Sequence, residues 1–131
     1  MALCPCGSEI NYEDCCGPFH KGEATAPTAE KLMRSRYCAF VKKDYAYLEE
    51  TLDPQTRLKF DHDGNREWAE KVTLTRLEIL RSEESGTKAL VEFKAYFREE
   101  QNECIHHEIS KFRKQSGVWY FREGKVLPPG T

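Results

Sequence analysis

From Val72 onward, apolar residues recur at every second position. Leu77 and Ile79 flank Glu78. Ala89, Val91, Phe93, Ala95 and Phe97 then alternate with Glu92, Lys94, Tyr96 and Arg98. A period of two is the mark of a half-buried strand. Ile105, His107 and Ile109 fall on one face of a third run, and Glu108, Ser110 and Phe112 on the other. A fourth runs from Val118 to Arg122. Ser85-Gly86, Gln101-Asn102-Glu103 and Ser116-Gly117 read as the turns between them, and Lys125 begins a tail.

Before Val72 the period is helical. Thr28 is placed to cap a helix whose Ala29, Leu32, Met33, Tyr37 and Phe40 share one face. Arg36 lies on that same apolar face. Asp44 is placed to cap a second, short helix with Tyr47, Leu48 and Leu52, stopped near Asp53-Pro54. Residues 55–70 are polar and weakly periodic, with a short helix expected near Trp68. Helices followed by hairpin-linked strands predict an α+β fold, the helices packed on one face of an antiparallel sheet.

The first 22 residues follow neither period. They hold Cys4, Cys6, Cys15 and Cys16, with Gly7, Gly17, Pro18 and Gly22 as turn formers. So short a segment cannot bury a core of its own, and a metal is the means to hold it. Two close pairs of soft ligands make a tetrahedral thiolate cage for one structural Zn²⁺, with no open position for catalysis. Disulfides fit poorly: Cys4 and Cys6 are two apart and Cys15 and Cys16 adjacent, against relaxed S–S geometry. The spacing also departs from the common iron–sulfur patterns. His20 is an alternative ligand to Cys15 or Cys16, expected just outside the cage. Residues 23–27 read as a linker, and residues 28–131 as the main domain.

These residues carry a resemblance. Cys4-Pro5-Cys6-Gly7-Ser8, Tyr12, and Cys15-Cys16-Gly17 resemble the SEC-C motif, the zinc element at the C-terminus of the SecA translocation ATPase. The usual last ligand there is His, and Cys16 stands in its place. Leu32-Met33-Arg34-Ser35-Arg36-Tyr37-Cys38-Ala39-Phe40, the run from His107 to Phe112, and Gly117-Val118-Trp119-Tyr120 resemble the bacterial YchJ family. That resemblance implies an N-terminal SEC-C zinc knuckle ahead of a cone-shaped domain similar to nuclear transport factor 2 (NTF2). SecA's loop between the cysteine pairs is basic and engages the acidic chaperone SecB and the ribosome. Here the loop carries Glu9, Glu13 and Asp14 and no Lys or Arg, so like charges oppose those partners.

Composition narrows the classes further. The 131 residues suffice for one domain plus the knuckle. A net charge of −2, made more negative by four thiolates around one zinc, argues against broad electrostatic binding of nucleic acid. No apolar run reaches membrane-spanning length. No charged lead and apolar segment precede Cys4, so a cytoplasmic protein with reduced thiols is expected.

A cone fold encloses a pocket, and its candidates are the residues that break the apolar pattern: Arg36, His107 and Glu108. Adjacent strand residues point to opposite faces, so only one of His107 and Glu108 faces the pocket. Glu108, with Ser110 and Phe112 on its face, is the expected one, and Arg36 its expected charge-assisted partner. Such a pair would also serve simply to fix the helix on the sheet. His106 and His107 point apart, which speaks against joint acid–base work. His62 between Asp61 and Asp63 reads as a solvated turn more than a hard-metal loop. Cys38 and Cys104 read as packing residues, as do Trp119, Tyr120 and Phe121. The leading expectation is a zinc-binding adaptor that uses the knuckle to bind a protein partner. The alternative is an enzyme or ligand-binding protein with a small molecule in the cone pocket. An open cavity lined by Glu108 or His107 would favour the alternative, and a closed interior with Arg36 locked to Glu108 the adaptor. Pairing through the sheets leaves a homodimer open.

Overall fold

A computed structural model describes residues 3–59 and 62–128. Its elements run in the predicted order. A 3₁₀ turn (Tyr12–Asp14) and a one-turn helix α1 (Gly17–His20) lie in the cysteine-rich segment. Then come α2 (Ala29–Lys42), α3 (Tyr45–Glu50), a 3₁₀ turn (Arg57–Lys59) and α4 (His62–Lys71). Four strands follow: β1 (Val72–Ser85), β2 (Lys88–Glu99), β3 (Asn102–Gln115) and β4 (Val118–Val126). They pair consecutively and antiparallel, in the order β1-β2-β3-β4.

The capping expectations hold. The Thr28 hydroxyl accepts from the Lys31 amide at 3.1 Å, and an Asp44 oxygen from the Tyr47 amide at 3.2 Å. Each satisfies one of the amides that a helix start leaves without a partner. Leu52 lies beyond α3 rather than in it. It bridges to Phe121, with backbone hydrogen bonds from Asp53 to Phe121 and from Phe121 to Thr51. That bridge ties the helical layer to the last strand.

The strand faces are as the alternation predicts. Val91, Phe93, Ala95 and Phe112 are buried under α2, together with Leu32, Met33 and Tyr37. Irregularities in β1 between Leu74 and Arg76 and between Ile79 and Arg81, and one where β3 meets β4 at Lys111/Phe112, bend the sheet around the helix. The Ser116–Gly117 turn has both residues at positive φ, the conformation a two-residue hairpin favours. Four further boundaries differ from expectation. The β1–β2 turn sits at Gly86–Thr87, so Ser85 still belongs to β1. The β2–β3 turn sits at Glu100–Gln101, with Glu100 at φ 57°, so Asn102 already belongs to β3. α4 is a full ten residues. β4 continues to Val126, because residues 123–126 pair back onto Lys111 through Glu108.

Candidate metal centre and cone cavity

The cysteine-rich segment folds back on itself through a Leu3–Asn11 bridge and a Cys4 amide bond to the Ile10 carbonyl at 2.8 Å. That brings the four predicted cysteines together: their sulfurs all lie within 4.8 Å of one another. A tetrahedral cage with Zn–S bonds of about 2.3 Å has sulfur–sulfur edges of about 3.8 Å. The Cys6–Cys15 and Cys15–Cys16 separations are 3.7 and 3.9 Å. Among the described residues this is the one cluster of Cys, His, Asp or Glu that could hold a metal ion.

Its electrostatics call for a cation. Contacts with Cys16 and Cys38 pull the Cys6 thiol well below the ordinary range. Cys16 is driven far up by its hydrogen bonds to Cys38 and Cys6, and burial pushes Cys15 up. Four neighbouring thiolates repel one another, and a bound dication is what lets all four ionise. His20 stands outside the cage with both ring nitrogens engaged. Nδ1 meets the Tyr12 hydroxyl at 2.6 Å and Nε2 the Ser35 carbonyl at 2.8 Å.

The knuckle is docked on α2. Arg34 donates to the Cys6 carbonyl at 2.8 Å, Lys42 sits 4.2 Å above the Tyr12 ring, and Cys38 of α2 lies 3.3 Å from Cys4. Cys4, Cys6 and Cys16 join Leu32, Met33 and Tyr37 in a single apolar cluster. Ala26, in the expected linker, is buried in it too.

Between the other side of α2 and the concave sheet face lies a cavity of about 480 Å³. Its walls are mainly aromatic and apolar: Tyr37 and Phe40 from α2, Trp68 from α4, Phe93 and Phe121 from the sheet. Trp68 is wedged edge-on against Phe40 and Phe97, with ring centroids 5.9 and 5.2 Å apart. Glu108 and Arg36 line this cavity. His107 does not. It is buried on the opposite face, where its Nε2 meets Glu92 at 2.7 Å. The histidine that accompanies Glu108 is His106, two residues back on the same strand face, whose Nε2–H donates to Glu108 Oε1 at 2.8 Å. The Ser110 hydroxyl donates to the other oxygen at 2.5 Å. Gly124 makes room, since a Cβ there would run into the Glu108 carboxylate.

The expected Arg36–Glu108 ion pair does not close among the described residues. Arg36 instead donates to the Leu48 carbonyl at 2.9 Å and to Thr51 Oγ1 at 2.5 Å, with its guanidinium 4.6 Å over the Phe121 ring. The carbonyls of α3's last turn have no partner within their own helix and attract a cation. Burial pushes Arg36 down to about 10, which still leaves it charged at neutral pH. Burial works to raise the Glu108 pKa. The donors His106 and Ser110 and the nearby Arg36 charge outweigh it, and the carboxyl lies below its ordinary value.

The remaining candidates are structural. His62 contacts the Arg57 carbonyl and Glu49, while Asp61 lies outside the described residues. Trp119 and Phe121 are buried in the apolar cluster. Cys104 lies 3.9 Å from the Asn102 carbonyl. Asp53, read only as a helix stop, is fully buried. It is gripped by Arg113 through two 2.7 Å bonds and by Arg122 at 3.1 Å, and the Arg113 bonds hold its carboxyl far below the usual range.

No helix of the described residues is long and apolar enough to cross a membrane. Residues 2–18 match the SEC-C motif, and residues 28–124 match the family described as "YchJ, middle NTF2-like domain". A UPF0225 protein of Geobacter sulfurreducens is 42% identical over 97% of this chain and 81% of its own length. The solution structure of a SEC-C motif containing protein from Rhodopseudomonas palustris matches with a TM-score of 0.89 at 48% identity. That match covers 95% of this chain and 98% of the other. A crystal structure of a SEC-C motif containing protein from Psychrobacter arcticus matches at 0.81 and 34% identity, covering 98% and 84%. With the cysteine cluster at one end and the cone at the other, the chain belongs to the UPF0225 family, an N-terminal SEC-C motif joined to a YchJ-type NTF2-like domain.

Proposed function

We propose that this protein binds a small, largely apolar and planar molecule in the cone cavity, with the knuckle as a zinc-held brace for the wall formed by α2. The observation that carries the reading is the open cavity with Glu108 in its lining, not locked to Arg36. A volume of about 480 Å³, aromatic walls and a few converging polar groups are the features of a small-molecule site. Glu108 already accepts from His106 and Ser110, and a carboxylate has lone pairs for a further donor. The ligand class is therefore an aromatic or polycyclic molecule carrying one hydroxyl or N–H. The His106–Glu108 pair also gives the site the parts for proton transfer to such a molecule.

The test is a titration of Trp68 fluorescence, in a Trp119→Phe background, with a panel of phenols and aromatic amines. Saturable quenching, weakened about tenfold or more by Glu108→Ala, is the expected result, in line with loss of a charged hydrogen-bond partner. A flat response across the panel, with no shift of the Trp68, Phe93 and His106 NMR signals, would overturn the reading.

The metal of the knuckle is one Zn²⁺ per chain, held by Cys4, Cys6, Cys15 and Cys16. None of the six cysteines is joined in a disulfide, which suits a reducing compartment. Elemental analysis of protein purified under reducing conditions without chelator checks the stoichiometry. An adaptor role has one observation in its favour: Leu3 and Ile10 stand exposed on the knuckle, beside the acidic loop. Loss of a specific protein partner from a pull-down with Leu3→Ser plus Ile10→Ser, zinc content intact, is the result that role requires.

A further inference from the structure

Helix α2 turns a fifth sulfur toward the metal cage. Cys38 is fully buried, and its Sγ lies 3.3 Å from that of Cys4. Four other sulfurs already form the mutually close set, which completes a tetrahedral shell. Cys38 is therefore beside the shell and outside it. It offers one weak S–H donor, the Cys4 sulfur lies within reach of it, and Cys6 and Cys16 also pack against it.

We infer that Cys38 is a positioning residue for the metal, its S–H donating a hydrogen bond to the Cys4 thiolate. The inference rests on the reading of the four cysteines as a zinc site. Ser8 stands in the same relation to Cys15, with its hydroxyl 3.2 Å from that sulfur. The cage thus receives one outer hydrogen bond from its own loop and one from the main domain, 34 residues along the chain. Four thiolates around Zn²⁺ carry an excess negative charge. A donor aimed at one of them draws off electron density, lowers its reactivity and fixes its direction, as outer-shell partners do at metal sites generally. The contact also couples metal retention to docking: when α2 and the knuckle separate, Cys4 loses its donor.

The experiment compares full-length wild type with Cys38→Val, which keeps the volume and removes the donor, and Cys38→Ser, which keeps a donor. Zinc content is measured first. A wild type without zinc overturns the metal reading itself, before any variant is compared. Zinc transfer to 4-(2-pyridylazo)resorcinol is then timed at fixed pH, and the Co²⁺-substituted proteins are scanned for the sulfur-to-metal charge-transfer band. Cys38→Val is expected to release zinc about 10- to 100-fold faster, the range for lost outer-shell partners, with the band moved to longer wavelength. Cys38→Ser is expected to restore most of both. The inference falls if Cys38→Val keeps the wild-type rate and band, since Cys38 then only fills space. It falls equally if Cys38→Ser releases zinc as fast as Cys38→Val, since repacking then accounts for the loss.

Discussion

The knuckle and the cone bury different things. In the knuckle the buried side chains are Cys4, Cys6 and Cys16, the residues of the cluster itself, while Leu3 and Ile10 stay out in solvent. In the cone, carbon is buried: Phe112, Val91, Phe93 and Leu32 close over one another between helix and sheet. One region depends on sulfur and the charge it carries, the other on area removed from water. The two nonetheless meet in one apolar cluster along α2, so they share a wall while differing in what would dissolve them.

The largest test of that difference is metal removal. Structural zinc sites contribute about 10–16 kcal/mol of apparent binding free energy at neutral pH, which in so short a segment is folding free energy. A strong chelator is expected to collapse the amide dispersion of residues 3–20 in NMR spectra while the β2 and β3 amides stay dispersed. If both sets collapse together, the knuckle and cone are one cooperative unit and the contrast between them fails.

Phe112→Ala is the converse perturbation. Phe112 is 2% exposed and meets Phe121 edge-on at 5.7 Å. Emptying such a site costs about 3–5 kcal/mol. Denaturant unfolding followed by circular dichroism should show a loss in that range, with one zinc per folded chain retained. Zinc lost in step with the mutation would mean that the brace depends on the core and not only the reverse.

These contrasts track what was legible in the sequence. The cysteine spacing is local chemistry, and the strand faces are local periodicity. Both are visible in short windows, and the structure has the same four cysteines and the same faces. What was hidden depends on partners far along the chain. Asp53 looks like a helix stop until Arg113 and Arg122 arrive from 60 and 69 residues away. The sequence points Arg36 to a carboxylate, whereas its partners are the Thr51 hydroxyl and a backbone carbonyl at the end of α3, and the carbonyl leaves no trace in the sequence. Beyond Arg122, Glu123, Gly124 and Lys125 carry no apolar alternation, and only their pairing with β3 marks them as strand. His106 was within reach of parity. It shares a face with Glu108, as residues two apart on a strand must, whereas His107, the expected candidate, lies on the opposite face.

Glu108 carries a smaller and pH-dependent effect that separates cavity from knuckle. Its pKa is depressed in the folded state, so its ionised form contributes stability that is fully present above the unfolded value, about 4.3 for glutamate. That contribution is lost as pH falls through the lower folded value. Hydrogen bonds to a charged group are worth about 1.5–3 kcal/mol, so Glu108→Gln is expected to destabilise at pH 6–7 by an amount in that range or less. As pH falls through that lowered folded value, the wild-type and variant midpoints should converge. Curves that stay parallel down to pH 3 would show that the carboxylate charge is not what His106 and Ser110 hold.

The smallest expected effect lies at the start of the shared wall. Thr28, half-buried, caps α2 through its hydroxyl and the Lys31 amide. Thr28→Ala removes one hydrogen bond from the helix end and should cost about 1 kcal/mol, with Thr28→Ser restoring it. Because the first turn of α2 includes Ala29, fully buried, and leads directly into Leu32 and Met33, fraying there loosens cone packing before it reaches Cys38, more than two turns further on. Hydrogen exchange should therefore accelerate at the amides of residues 29–33 and leave those of 4–16 unchanged. Faster exchange in the knuckle as well would mean that α2 transmits a disturbance at its N-terminus to the metal cage, and the two regions would then differ in composition but not in stability.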